Sequence, residues 1–303
     1  MNIFIKLKNL DRRWVFLFVA LSVIIPLLFP FALPVVPTKS VANLHKFIEN
    51  TEALPEGTRC FLSFDFDPAS EPELKPSAVA ILVHMFRRNL KPICGANWPV
   101  GGEMAEVALV EAANAYMSTY DDMKAQGKLA PGCKPIIERG VDYVNLGYKT
   151  GAIIHVKALC NDFMYPYPQD RDGNSTAEMA IFANPDGRRF AMSDVGIIIS
   201  FTAGTGGIET FISMAGEHKR PMAAGCTSVN IPRFTTYLQS GQLVGMTGGL
   251  PGAAEYETLI ERPGKGCAGM TPQSIAHLVI MLFIIFGNLA YIAEQRNEAK
   301  KKG

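Results

Sequence analysis

Two long apolar stretches bracket a chain that otherwise alternates apolar and polar positions. From Trp14 to Val36 no side chain is charged and almost every position is apolar. Ile275 to Ile292 repeats the pattern over a shorter length, with His277 near its start and Asn288 near its end, where polar tips can reach an interface. A bilayer core of ~30 Å is crossed by about 20 such residues in a helix. Residues 14–36 and 275–292 are therefore read as two transmembrane helices. Pro26 and Pro30 fall inside the first and are expected to kink it or end it early. A basic start followed by an apolar run is also the plan of a secretory signal. Here the run is long for that role, and Pro30, Pro34 and Pro37 stand where a small-residue cleavage motif belongs. The reading is an uncleaved anchor.

Between the runs the periodicity switches repeatedly between that of strands and that of helices. Residues 37–58 read as a stalk with one short helix, its apolar face made by Val41, Leu44, Phe47 and Ile48. Residues 59–262 read as an α/β domain. A strand over Arg59–Phe66 leads to a helix over Lys75–Asn89, and a strand over Lys91–Ala96 to an Ala-rich helix over Gly102–Lys124. That order marks a parallel sheet with crossover helices. Gly127–Asp142 reads as loop and Ile153–Leu159 as a strand. Asn161–Arg189 is a long polar excursion, of the kind that forms a functional element, an interface or a solvated flap. Val195–Phe201, β-branched and apolar throughout, reads as a central strand buried on both faces. A helix over Ile208–His218 follows, then a strand at Met222–Cys226 and a helix over Ser228–Gln239 broken near Pro232. The last elements are a strand at Leu243–Met246, a glycine-rich turn at 248–252 and a helix over Ala253–Glu261. The sum is a Rossmann-like three-layer sandwich with a mostly parallel sheet of five or six strands.

Charge adds orientation. Lys6, Lys8, Arg12 and Arg13 precede the first run, and Arg296 with Lys300, Lys301 and Lys302 follow the second; the inner flanks carry only Lys39, Lys46, Arg262 and Lys265. By the positive-inside rule both tails, 1–13 and 293–303, are cytoplasmic and the domain is extracytoplasmic. The net charge of +1 gives no sign of a nucleic-acid partner.

Ligands of such sheets bind outside the carboxyl ends of the strands, so the loops there are the candidate chemistry. Asp65 and Asp67 are spaced to share one face of a strand, which suits a divalent cation or an acid/base pair; either could instead cap the next element. Thr202-Ala203-Gly204-Thr205-Gly206-Gly207 joins the central strand to a helix that carries Glu209. Such a turn presents backbone N–H groups and a positive helix end to a small anion, or is simply tight; Glu209 is placed to contact a neighbour. It is neither a dinucleotide fingerprint nor a P-loop. A third glycine-rich stretch, Leu243–Glu257, ends in Glu255 and Glu257. The five histidines show no H-E-x-x-H spacing, and His84 reads as a packed or surface residue. No catalytic triad, cofactor motif or metal-ligand set is recognisable. Of the six cysteines, Cys60, Cys94 and Cys226 read as buried hydrophobes, and Cys133 and Cys267, in Gly/Pro-rich loops, as the better disulfide candidates.

The D-x-D of Asp65 and Asp67 resembles that of haloacid-dehalogenase-like phosphatases, where the first Asp is the nucleophile. Ala69 stands where that family has Thr or Val, and no later acidic pair follows an apolar strand. A broader likeness is carried by Leu10-Asp11-Arg12-Arg13 with its apolar run, Ser63-Phe64-Asp65-Phe66-Asp67-Pro68-Ala69-Ser70, Val144-Asn145-Leu146-Gly147-Tyr148-Lys149 and Tyr237-Leu238-Gln239-Ser240-Gly241-Gln242. Over most of its length the chain resembles a family of uncharacterised bacterial membrane proteins. The resemblance implies a bacterial inner-membrane protein and transfers no catalytic residue. Two readings of function follow. One is a non-catalytic subunit in membrane lipid that assembles with itself or with other membrane-protein subunits. The other is a small-anion or metal-dependent binding protein or hydrolase using the Asp65/Asp67 and 202–207 loops.

Overall fold

The computed structural model describes residues 11–29, 31 and 33–302. Lys6 and Lys8 of the basic tail, and Pro30, lie outside them. Among the described residues the helices are α1 (Arg12–Leu28), α2 (Lys39–Glu49), α3 (Glu71–Arg87), α4 (Gly101–Ser118), α5 (Tyr120–Ala125), α6 (Ile153–Asn161), α7 (Ile208–Glu217), α8 (Ile231–Gln239), α9 (Gly249–Leu259) and α10 (Lys265–Lys302). The strands are β1 (Arg59–Asp65), β2 (Lys91–Ala96), β3 (Val144–Tyr148), β4 (Val195–Thr202), β5 (Met222–Cys226) and β6 (Gly245–Gly248). The chain divides into two compact units, Val35–Gly266 and Met1–Pro34 with Cys267–Gly303.

The larger unit is α/β. Its six strands are all parallel, in the order β3-β2-β1-β4-β5-β6. Strands added outward on one side of β1 and then on the other produce a doubly wound, Rossmann-like layout whose switch point lies between β1 and β4. Alternation along each strand sends side chains to two cores. Cys60, Leu62, Phe64, Ile197, Ile199 and Phe201 meet α2, α3, α4 and α9 on one face, while Phe61, Ile93, Val195, Ile198 and Met222 meet α6, α7 and α8 on the other. Strands buried on both faces carry near-continuous apolar runs for this reason.

Several expectations are corrected. Residues 153–159 form helix α6, burying His155, Val156 and Leu159. A short apolar run does not distinguish strand from buried helix by periodicity. The strand at this edge is β3, whose Asn145 and Gly147 disguise it. Residues 248–252 are not a turn, since α9 starts at Gly249. The stalk is part of the domain: Val41, Leu44 and Ile48 of α2 are fully buried, and α2 packs on β6 and α9. The excursion is no solvated flap. Phe163, Tyr167, Ile181 and Phe182 all lie in the second core. Cys133 is not bridged; its thiol lies 3.3 and 3.1 Å from the carbonyl oxygens of Phe86 and Arg87. Cys267 sits inside α10 rather than in a loop.

One helix among the described residues is long and apolar enough to cross a membrane, over Lys265–Ile292, where two are expected from the sequence. The helix of the first run has 17 residues, about 25 Å at about 1.5 Å per residue, which falls short of a ~30 Å core. Prolines set its end. Phe29, the residue before Pro30, is pushed out of helical geometry (φ −122°, ψ 78°), and Pro34 and Pro37 prevent a restart. Within the smaller unit the Phe18 and Phe283 rings pack 6.2 Å apart, and the Thr271 hydroxyl donates to the Phe31 carbonyl at 2.9 Å.

Candidate functional site at the sheet switch point

The two loops singled out in the sequence meet. β1 and β4 are neighbours in register, with Ser63 opposite Ser200 and Asp65 opposite Thr202. The four side chains project to the face covered by α6 and α7, as the alternation from Phe61 and Ile198 requires. Asp65 ends β1 at the switch point and is fully buried (0% exposed). Its Oδ2 accepts from the Ser63 hydroxyl and its Oδ1 from the Asn97 backbone N–H, both at 2.7 Å. The Ser200 hydroxyl faces the carboxyl without forming a hydrogen bond of ordinary geometry. Burial disfavours the charged form, and these hydrogen bonds offset only part of the cost, so the carboxyl is pushed up to about 6.

Asn97 extends the cluster. Its Oδ1 lies 2.7 Å from Nδ1 of His155, on α6. An amide oxygen can only accept, so Nδ1 carries the proton and Nε2 is left as an acceptor. That Nε2 and the Asn97 Nδ2 are buried without partners. Burial, aided by the Lys149 ammonium, lowers His155 to about 4, which keeps the ring neutral. Tyr167 from the excursion stacks edge-on against His155 at 5.2 Å, with Lys149 Nζ over its ring. The excursion and α6 thus close the carboxyl edge over a polar cluster of Ser63, Asp65, Asn97, His155 and Ser200.

The glycine loop folds down onto this cluster rather than away from it. A Cβ at Gly207 would meet Thr202 Oγ1 at 2.6 Å and the Asp65 Cβ at 3.2 Å. Gly204 lies under the Trp98 ring, and its N–H is directed at Thr202 Oγ1, 3.4 Å away. Gly206 takes φ +88° and its carbonyl accepts from Thr210 at 2.8 Å. Thr205 is exposed. Asp67 lies past the end of β1 and does not join Asp65: its Oδ1 accepts from the backbone N–H and hydroxyl of Ser70 at 3.1 and 3.0 Å, a cap for the turn into α3. Glu209 pairs with Arg233 of α8 at 2.5 Å instead of reaching outward.

Comparison with known proteins finds no family model, no characterised sequence and no solved structure that matches the chain. What the cluster can do therefore rests on its geometry. It holds a carboxyl that burial pushes up to about 6, linked through one asparagine to a neutral imidazole with a bare nitrogen. A titrating carboxyl beside a fixed acceptor suits proton exchange or the grip of a small polar molecule. With Asp65 wholly enclosed, either role requires α6 and the excursion to open. Sequence reading found Asp65, Thr202 and the glycines. It missed Asn97 and His155, which lie 32 and 90 residues from Asp65. A usable signal was the twin pattern Ser63-Phe64-Asp65 and Ser200-Phe201-Thr202, two polar positions in alternation within otherwise apolar strands.

Proposed function

We propose that this chain is a membrane-anchored subunit of the bacterial inner membrane whose α/β domain works by assembling with itself or with other membrane-protein subunits. The observation that carries the reading is α10, 38 residues long, with Leu278, Ile284, Ile285 and Leu289 exposed along it. An apolar helix surface of that length is at home in lipid. Assembly is supported by large apolar side chains at the carboxyl edge of the sheet. Ile153 and Ile154 at the start of α6, Tyr165 in the excursion and Val229 after β5 are 56, 77, 79 and 84% exposed. In this reading α1 crosses beside α10, with the residues after Leu28 completing the passage. Both basic tails are then cytoplasmic and the domain extracytoplasmic.

Extraction and mass measurement test the reading together. The full chain should stay in the membrane pellet through alkaline carbonate and lose that property only when residues 1–34 and 267–303 are both removed. In mild detergent it should run as an oligomer or with companion subunits. A monomer released by carbonate ends the proposal. Reporter fusions to both tails test the topology, and opposite signals from the two would refute it.

A second reading, small-molecule binding or hydrolysis at the switch point, is favoured by the buried Asp65 carboxyl, raised by desolvation, and the bare Nε2 of His155. It requires that Asp65→Asn abolish a measurable binding or turnover while assembly persists.

A further inference from the structure

At the opposite, amino edge of the sheet the structure gathers a second set of polar groups, none of them used above. α2 carries His45 and Glu49 one turn apart, a spacing that puts both on one face. The last turn of α3 brings in His84, and α9 brings in Tyr256. One ligand atom from each of His45, Glu49 and His84 falls within 4.8 Å of the others. The His45 and His84 rings stack at 4.8 Å, and His84 Nε2 lies 2.7 Å from Glu49 Oε1. His84 Nδ1 lies 2.8 Å from the Tyr256 hydroxyl. When that hydroxyl accepts from Nδ1–H, the Nε2 lone pair points at the cluster, the outer-sphere arrangement that orients a metal-bound imidazole. α2, α3 and α9 all end here, so three helix C-termini add negative potential.

His45, Glu49 and His84 line a cavity of about 270 Å³ whose other walls include Arg87, Arg88, Lys128 and Glu261. Arg87 is 7% exposed; its Nη1 donates to the Ile260 carbonyl at 2.6 Å, while its buried Nε has no partner. Lys128 pairs with Glu261 at 2.6 Å. A buried guanidinium N–H left without an acceptor beside a three-ligand cluster calls for an anion.

We propose that His45, Glu49 and His84 bind one divalent metal ion of the zinc class, and that its open coordination position faces the cavity, where an oxyanion bridges the metal and Arg87. The donor set of two imidazoles and one carboxylate leaves at least one position free in a tetrahedral site. Metal–ligand bonds of about 2.0–2.2 Å place ligand atoms about 3.3 Å apart, so binding draws the three side chains together by small rotations and replaces the Glu49–His84 hydrogen bond. Arg88, whose Nε lies 3.5 Å from Glu49 Oε2, then holds the outer oxygen of that carboxylate, and Arg87 neutralises the anion.

The test uses the full chain in mild detergent, stripped with a chelator and titrated with cobalt(II). One equivalent should bind, with visible absorption of a four- or five-coordinate ion. His45→Ala, at a partly buried position, should bind at least tenfold more weakly while keeping a single cooperative melting transition. Tyr256→Phe should bind several-fold more weakly yet keep the spectrum. Inorganic phosphate should shift the wild-type spectrum and leave that of Arg87→Lys unchanged. Wild-type binding below one equivalent, or equal binding by His45→Ala, overturns the metal site. A wild-type spectrum indifferent to phosphate overturns the anion position.

Discussion

Replacing Asp65 with asparagine should stabilise the domain at neutral pH and modestly destabilise it in acid. In the fold the carboxyl sits at about 6 against an ordinary value of 3.8. The native state therefore holds its proton more tightly than the unfolded chain, and stability falls as pH rises from about 4 through 6. The span corresponds to ~3 kcal/mol of native-state cost once the group is ionised, taking about 1.4 kcal/mol per pH unit. Asparagine keeps the shape. Its Oδ1 can accept from the Asn97 N–H, and its amide group can donate to the Ser63 hydroxyl, whose own proton then needs a new acceptor. Allowing about 1–2 kcal/mol for that rearrangement, the net gain at pH 7.5 is about 1–2 kcal/mol. For a unit of this size that raises Tm by roughly 2–8 °C. The assay is thermal unfolding of the full chain in detergent at pH 7.5 and at the lowest pH it tolerates. The difference between the two proteins should shrink or reverse in acid. Equal destabilisation at both pH values would show that the ionised carboxylate is fully paid for by its hydrogen bonds, and the reasoning about Asp65 would fall.

Two further substitutions probe the surroundings. Gly207→Ala sets a methyl 2.6 Å from Thr202 Oγ1 and 3.2 Å from the Asp65 Cβ, so it should cost about 1–3 kcal/mol and loosen the loop over the switch point. An unchanged midpoint in denaturant would mean that the loop moves freely. Glu255→Gln removes the charge from a carboxylate that accepts from the Thr38 N–H and hydroxyl at 2.9 and 2.6 Å. A loss of about 1–2 kcal/mol is expected, with earlier proteolysis near residue 38, and proteolysis rates equal to wild type would count against it.

What the sequence disclosed follows from which forces are local. β2 and β5 match their expected boundaries because a run of buried apolar residues bounded by turns is a local signature. β3 is hidden by Asn145 and Gly147, polar or small residues that the tertiary context accommodates: Asn145 donates to the Gly102 carbonyl and to Glu106. α6 has the composition of a strand and becomes a helix because only one of its faces meets a core. At the switch point, Asp65 and the glycine loop are legible since strand ends predict where loops converge. The parting of Asp67 from Asp65 is not, because it depends on the strand stopping one residue short of Phe66. His45 and Glu49 carry a readable i, i+4 spacing, but it gains meaning only when α3 delivers His84 from 35 residues downstream of Glu49.

Glu255 and Glu257 sit two residues apart on α9. The first accepts from Thr38, where the chain enters the α/β unit, and the second accepts from Gly264 and Gly266 at 2.8 and 2.9 Å, where it leaves. Entry and exit are thus pinned to one short helix. Force applied at the two ends of the α/β unit would load these hydrogen bonds together with the one from the Ser40 hydroxyl to the Met246 carbonyl of β6 at 2.8 Å, before it reached the central strands. Only the edge strand β6 shares that load directly. The same closure gives the α/β unit the plan of an insertion, its two ends held together by its own hydrogen bonds.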